Sequence, residues 1–105
     1  MLILTDTLTT FDNKVNKIKS LAKKKYYLQK TLKKINEGIE LTLWALKHKR
    51  NKYIEMLSKY PTAKDPATLD HIKFNLRIIL PEQKKFRLHV LTLIAELEPA
   101  KNETN

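Results

Sequence analysis

The sequence contains a single glycine, Gly38, and only four prolines, so it offers few positions at which the chain can reverse direction. Apolar residues make up 42% of the 105 residues, which is enough for a hydrophobic core and argues against a disordered chain. This length is typical of a single domain, 1–105, and we expect flexible ends at 1–5 and 99–105. Together these features predict an all-α protein built from a few long helices.

The first predicted helix spans residues 6–60. Apolar residues recur there at alternating steps of three and four, the spacing of a coiled-coil seam, and the pattern stops at Tyr60-Pro61. Gly38 lies within this pattern, but Ile39 resumes it at once and leaves too little room for a connecting loop. We therefore prefer one unbroken helix that tolerates a glycine at a cost of ~1 kcal/mol.

The second predicted helix spans residues 66–98. Asp65 is a suitable N-cap, and Pro66 suits the first helical position. The apolar pattern crosses Pro81 without losing its register, which two separate helices would have little reason to do, so we expect one helix kinked at this proline. Its predicted core positions are Leu69, Ile72, Leu76, Ile79, Gln83, Phe86, Val90, Leu93 and Leu97.

The two helices differ in length, which bears on assembly. Folded back as an antiparallel hairpin or coiled coil, helix 66–98 covers only the second half of helix 6–60. A second copy would bury what is left, so we predict a homo-oligomer that forms a helical bundle. Segments 39–46 and 88–95, apolar almost all round, support this. The predicted interface comprises Leu8, Phe11, Val15 and Ile18. The alternative is a three-helix bundle with a turn at Gly38.

The sequence shows no pattern typical of an enzyme. His48, His71 and His89 have no second ligand at helical spacing, and the chain has no cysteine for a thiolate metal site. One glycine is too few for a loop that cradles phosphates. We therefore predict no catalytic residues, metal, cofactor or small-molecule substrate.

The charge of the chain predicts an anionic partner. The 21 Lys and Arg exceed the 11 Asp and Glu, for a net charge of +10, and residues 14–36 contain nine lysines and no acid. Because only three residues are arginines, we expect phosphate contacts rather than base reading. Tyr26 and Tyr27 are candidates for base stacking, although we expect them to pack against neighbours. The predicted binding residues are Lys14, Lys17, Lys19, Lys23, Lys24, Lys30, Lys33, Lys34, Lys47, Lys49, Arg50 and Lys52.

We therefore predict a small, non-enzymatic helical protein that binds a polyanion, nucleic acid first, as an accessory or regulatory factor. The alternative is a coiled-coil adaptor or assembly subunit that docks on an acidic protein. Membrane docking is disfavoured because a narrow heptad seam favours another helix, and no segment has the ~20 apolar residues of a membrane span. The apolar start MLIL lacks the charged leader of a signal peptide, so we expect an intracellular, cytoplasmic location.

Overall fold

The computed structural model describes residues 4–97, with side chains from residue 8 onwards. Its elements are α1 (Leu4–Lys17), α2 (Leu21–Lys59), α3 (Pro66–Phe74), a π-helical segment (Asn75–Ile79) and α4 (Leu80–Glu96). The last three follow one another without a break and run antiparallel to α2 in a molecule 63 Å long. The predicted all-α class and helical hairpin are confirmed. The predicted flexible ends lie outside the described residues, except that residues 4 and 5 belong to α1.

The prediction of one unbroken helix over 6–60 is wrong in one respect, because residues 18–20 are not helical and separate α1 from α2. Ser20 adopts an extended conformation, and its side-chain oxygen accepts a hydrogen bond from the backbone N–H of Lys23 at 3.4 Å. That bond caps α2 and satisfies one of the amide groups that a helix start leaves without a partner. Ser20, a good N-cap residue placed just before Leu21, was therefore the sequence signal for a new helix start.

The break lets α1 fold onto α2 and α4, where Phe11 and Val15 are buried together with Leu28 and Val90. Around this cluster lie the partly buried Tyr27, Leu32, Ile35, Phe86, Leu93, Ile94 and Leu97. The predicted oligomer interface is therefore corrected: Phe11 and Val15 are covered by their own chain, and Leu8 and Ile18 are half-buried. A homo-oligomer stays a prediction, but the uncovered stripe that motivated it does not exist.

A polar contact also holds α1 against α4. Nε2 of His89 lies 2.7 Å from Oδ1 of Asp12, and both side chains are partly exposed. The two residues are 77 positions apart in sequence, so the contact forms only when α1 folds back. Partly exposed pairs of this kind contribute only ~0–1 kcal/mol to the free energy of unfolding. The main effect of the contact is therefore to set where α1 lies along α4.

Gly38 does not form a turn, so the alternative with a turn at this residue is also wrong. It lies in the middle of α2, where a side chain at this position would meet Nε2 of Gln83 at 3.6 Å. Gln83 occupies the seam between α2 and α4, and its Oε1 is buried with no hydrogen-bond partner among the described residues. The 3.6 Å separation is an ordinary van der Waals contact, so neither a turn nor a close approach requires a glycine here.

The corner between α2 and α3 forms as predicted. Carboxylate oxygens of Asp65 accept hydrogen bonds from the backbone N–H of Thr68 at 3.1 Å and from its hydroxyl at 2.6 Å. Pro66 occupies the first turn of α3, where its missing N–H costs nothing. The two bonds hold the pKa of Asp65 below its ordinary value, the side-chain bond being the larger cause. The capped corner directs α3 back along α2.

Pro81 lies inside a continuous helical run, as predicted, but the chain widens just before it. The backbone N–H of Leu80 donates to the carbonyl of Asn75, a π-type bond that spans five residues. A proline ring clashes with the carbonyl four residues earlier, here that of Arg77. A wider turn at this point moves that carbonyl and lets the helix continue past the proline.

The molecule has two unequal halves. Three helices surround the core at the α1 end, and Ile39, Leu46 and Leu80 are buried near the middle. No residue from 47 to 79 is buried, because there α2 faces only α3 and the π segment. Leu76, predicted to be a core residue, is 49% exposed for this reason. The all-round apolar segments 39–46 and 88–95 likewise expose side chains within the single chain, most of all Leu41, Trp44 and Leu88.

Candidate polyanion-binding surface

An exposed face of α2 lies opposite its buried seam, and we call it the outer stripe. Residues three, four and seven apart share one face of a helix, so positions 26, 30, 33, 37, 41, 44 and 48 line up along it. All of them are exposed. We define the outer stripe as Lys23, Tyr26, Lys30, Lys33, Lys34, Glu37, Leu41, Trp44 and His48.

Four predicted lysines lie on the outer stripe: Lys23, Lys30, Lys33 and Lys34. The first and the last are eleven positions apart, or ~16 Å along the helix. Within residues 8–97, no carboxylate lies within 4.0 Å of their ammonium groups. Side chains of Tyr26, Gln29 and Glu37 line a shallow, open hollow together with the last three of these lysines. The result is a line of unpaired positive charges on a rigid helix.

Two aromatic rings lie on the same stripe. Tyr26 is 66% exposed, so it does not pack against its own chain, and its packing against a second chain stays a prediction. Tyr27 packs as expected, stacked on Phe11 with ring centroids 5.8 Å apart. Trp44 is 65% exposed and stacks on His48, with centroids 5.2 Å apart and planes 5° from parallel. Tyr26 and Trp44 are 18 residues apart, which is five helical turns or ~27 Å.

Sequence reasoning missed Trp44 as a surface residue. Its neighbours Leu43, Ala45 and Leu46 made the whole segment look buried. The usable signal was the phase of the pattern, because Trp44 lies three and seven residues from Leu41 and Glu37 and not on the seam of Ile39 and Leu46. Position in the helical repeat therefore outweighs local hydrophobicity here.

The other N-terminal lysines are separated from the outer stripe. Lys14 and Lys17 are exposed in the last turn of α1, and Lys19 is exposed in the break before α2. Lys24 is half-buried at a different angle around the helix. The predicted group of basic residues is thus brought to one end of the molecule but does not form one continuous line.

The second predicted basic patch, residues 47–52, is divided between two sides of α2. Lys47 and Arg50 line a groove between α2 and the following helix. Lys49 and Lys52 lie by a separate hollow that also contains Asp65. Residues that are close in sequence here belong to different surfaces of α2, because successive residues of a helix point about 100° apart.

The remaining polar groups in the part of the chain that the structure describes include three histidines and several carboxylates. There, no three His, Asp or Glu side chains come close enough to hold a metal ion. Two histidines are used in contacts, His48 with Trp44 and His89 with Asp12. Over the same residues, none of the helices combines the length and apolar character needed to span a bilayer.

Comparison with known proteins gives no match to a family model, a curated protein or a solved structure. The interpretation of the outer stripe therefore depends on its geometry and charge.

Proposed function

We propose that the outer stripe of α2 binds nucleic acid through its phosphates, and that the protein is a non-enzymatic accessory or regulatory factor. The observation that carries the proposal is the line formed by Lys23, Lys30, Lys33 and Lys34, with no carboxylate within 4.0 Å among the described residues. Like charges at such spacing destabilise a helix modestly, and a bound polyanion removes this repulsion. The cytoplasmic location expected from the sequence stays a prediction.

The two exposed rings favour a single strand over a duplex as the ligand. Aromatic side chains beside a basic line stack on unpaired bases, and each such contact contributes ~1–3 kcal/mol. Tyr26 and Trp44 lie at either end of the segment that carries Lys30, Lys33 and Lys34, so one extended strand reaches both rings and the charges between them. Stacking of this kind tolerates any base, so we expect weak sequence preference.

A salt titration tests the phosphate contacts. The triple variant Lys30→Gln, Lys33→Gln, Lys34→Gln keeps helix-forming side chains and removes three charges. Its control removes three exposed lysines elsewhere, Lys64→Gln, Lys73→Gln and Lys84→Gln. Fluorescence anisotropy with a labelled single strand and a labelled duplex, each at several salt concentrations, measures the slope of log K against log salt.

We expect the outer-stripe variant to flatten the single-strand slope by ~2, since each phosphate contact contributes ~0.7. The control variant should keep the slope of the unmodified protein. Tyr26→Ala and Trp44→Ala should each weaken single-strand binding, whereas Leu88→Ala, an equally exposed apolar residue on α4, should not. Absence of binding at ~50 mM salt, or equal losses in both triple variants, would contradict the proposal.

A further inference from the structure

Among the residues that the structure describes, no third helix packs on the far half of the molecule, residues 47–79. At the other end α1 covers α2 and α4 and creates a buried core. Here α2 faces one helical segment only, and no side chain is buried. A pair of helices buries little apolar surface, and helix packing gains most when an apolar face is covered by a further neighbour.

An open groove marks where that neighbour is missing. Its floor is Leu46, which is 8% exposed, and its walls include Leu43 at 47% and Leu76 at 49% exposed. Two basic residues of α2 stand beside these apolar side chains. The full lining comprises Leu43, Leu46, Lys47, Arg50, Ile72 and Leu76.

The two basic residues decide what fits the groove. Within residues 8–97, neither Lys47 nor Arg50 has a carboxylate within 4.0 Å. A second copy docked with a two-fold axis through the groove would add another Lys47 and Arg50 to the same small contact, and like charges close together in an apolar contact are costly. A partner with acidic side chains would instead pair with them.

We propose that this groove binds an acidic amphipathic helix of another protein. Leucine-type side chains spaced three and four residues apart enter between Leu43 and Leu76, and flanking carboxylates pair with Lys47 and Arg50. On α2 the groove runs from Leu43 to Arg50, which is about two helical turns or ~10 Å. A partner helix of ~16 residues spans this length and extends beyond both ends of the groove. This surface is separate from the outer stripe, so binding here does not depend on nucleic acid.

A synthetic peptide tests the groove. The probe is a labelled helical peptide of ~16 residues with leucines on one face and glutamates beside them, and a scrambled peptide of the same composition is its control. Fluorescence anisotropy at ~150 mM salt limits attraction by the overall positive charge, because exposed charges are then screened within ~8 Å. The patterned peptide should bind at least about tenfold more tightly than the scrambled one.

Matched variants place the binding site. Leu43→Gln and Leu76→Gln change side chains that are about half exposed, so the fold should persist, and circular dichroism checks it. Each should weaken peptide binding about tenfold, whereas Leu41→Gln and Leu88→Gln, which alter more exposed leucines elsewhere, should not. Lys47→Glu with Arg50→Glu should also weaken it, and the same charge change as Lys33→Glu with Lys34→Glu should have little effect.

Three results would overturn the proposal. The first is equal binding of the patterned and scrambled peptides, which would indicate attraction by net charge alone. The second is a greater loss in the Lys33→Glu, Lys34→Glu variant, which would move the site to the outer stripe. The third is concentration-dependent self-association in analytical ultracentrifugation that Leu76→Gln abolishes, which would make a second copy the occupant of the groove.

Discussion

The ring of Phe11 in α1 meets the ring of Phe86 in α4 edge to face, with centroids 5.1 Å apart and planes at 60°. A stacked contact with Tyr27 of α2 lies on another side of the same ring. Phe11 therefore touches both other long helices at once. It anchors α1 to the hairpin and closes the three-helix end of the molecule.

Phe11→Ala should lower the free energy of unfolding by ~3–5 kcal/mol, because it leaves a cavity among aromatic rings that cannot easily collapse. Thr10→Ala, at an exposed neighbour, should change it by less than ~0.5 kcal/mol. Urea denaturation followed by circular dichroism measures both. The loss should be the same at low and high protein concentration, since the contacts are within one chain. If the loss of unfolding free energy grows with protein concentration, Phe11 lies in an interface between copies of the chain.

Gly38→Ala should stabilise the protein by ~0.5–1 kcal/mol, because alanine has less conformational freedom to lose in a helix. The new methyl group would meet Nε2 of Gln83 at 3.6 Å, an ordinary contact with a flexible side chain. Ala45→Gly, at an exposed position of the same helix, should cost a similar amount. Chemical denaturation of both variants provides the comparison. If Gly38→Ala destabilises instead, the seam at Gln83 is too tight for any side chain.

Pro81→Ala should leave stability unchanged or raise it by up to ~3 kcal/mol, because it restores a backbone donor and removes the ring that the preceding wide turn accommodates. Pro66→Ala is the control, since proline is favoured in the first turn of α3 and its removal should bring no gain. Thermal unfolding and helix content by circular dichroism report the effect. A clear loss of stability at position 81 would show that α4 depends on the wide turn that the proline accompanies.

Asp65 should make stability depend on acid pH. Hydrogen bonds from the Thr68 hydroxyl and backbone hold the pKa of Asp65 below its ordinary value, so the folded state favours the charged carboxylate. Its contribution is complete above the pKa of the unfolded chain and is lost as pH falls through the lower pKa of the folded state. The melting temperature should therefore fall less steeply below about pH 4 in Asp65→Asn than in the unmodified protein.

Near neutral pH the two proteins should have similar melting temperatures, because asparagine is also a good N-cap. The other carboxyl groups are the same in both, so the difference between the two pH profiles isolates Asp65. Parallel profiles down to about pH 2 would mean that the cap does not discriminate between the charged and neutral carboxyl.

The positions of the helices were largely readable from the sequence. The apolar repeat and the scarcity of glycine specify helices, because backbone hydrogen bonds within a helix are local. The corner at Tyr60-Pro61 and the cap at Asp65 were predicted for the same reason, since each depends on residues within one turn. The break at Ser20 was the exception, because its hydrogen bond to Lys23 competes with a helix that the pattern also permits.

Which residues are buried, and so which surfaces are free to bind, was decided by tertiary structure. Burial depends on where α1 folds, and that follows from contacts such as Phe11 with Phe86 and Asp12 with His89, between residues more than 70 positions apart. The sequence by itself determined the helical class, the positive charge and the repeat that places four of the lysines on the outer stripe of α2. Only the folded arrangement covered Phe11 and Val15, exposed Trp44 and Leu76, and separated Lys47 from Lys49, because packing depends on partners that a linear pattern does not identify.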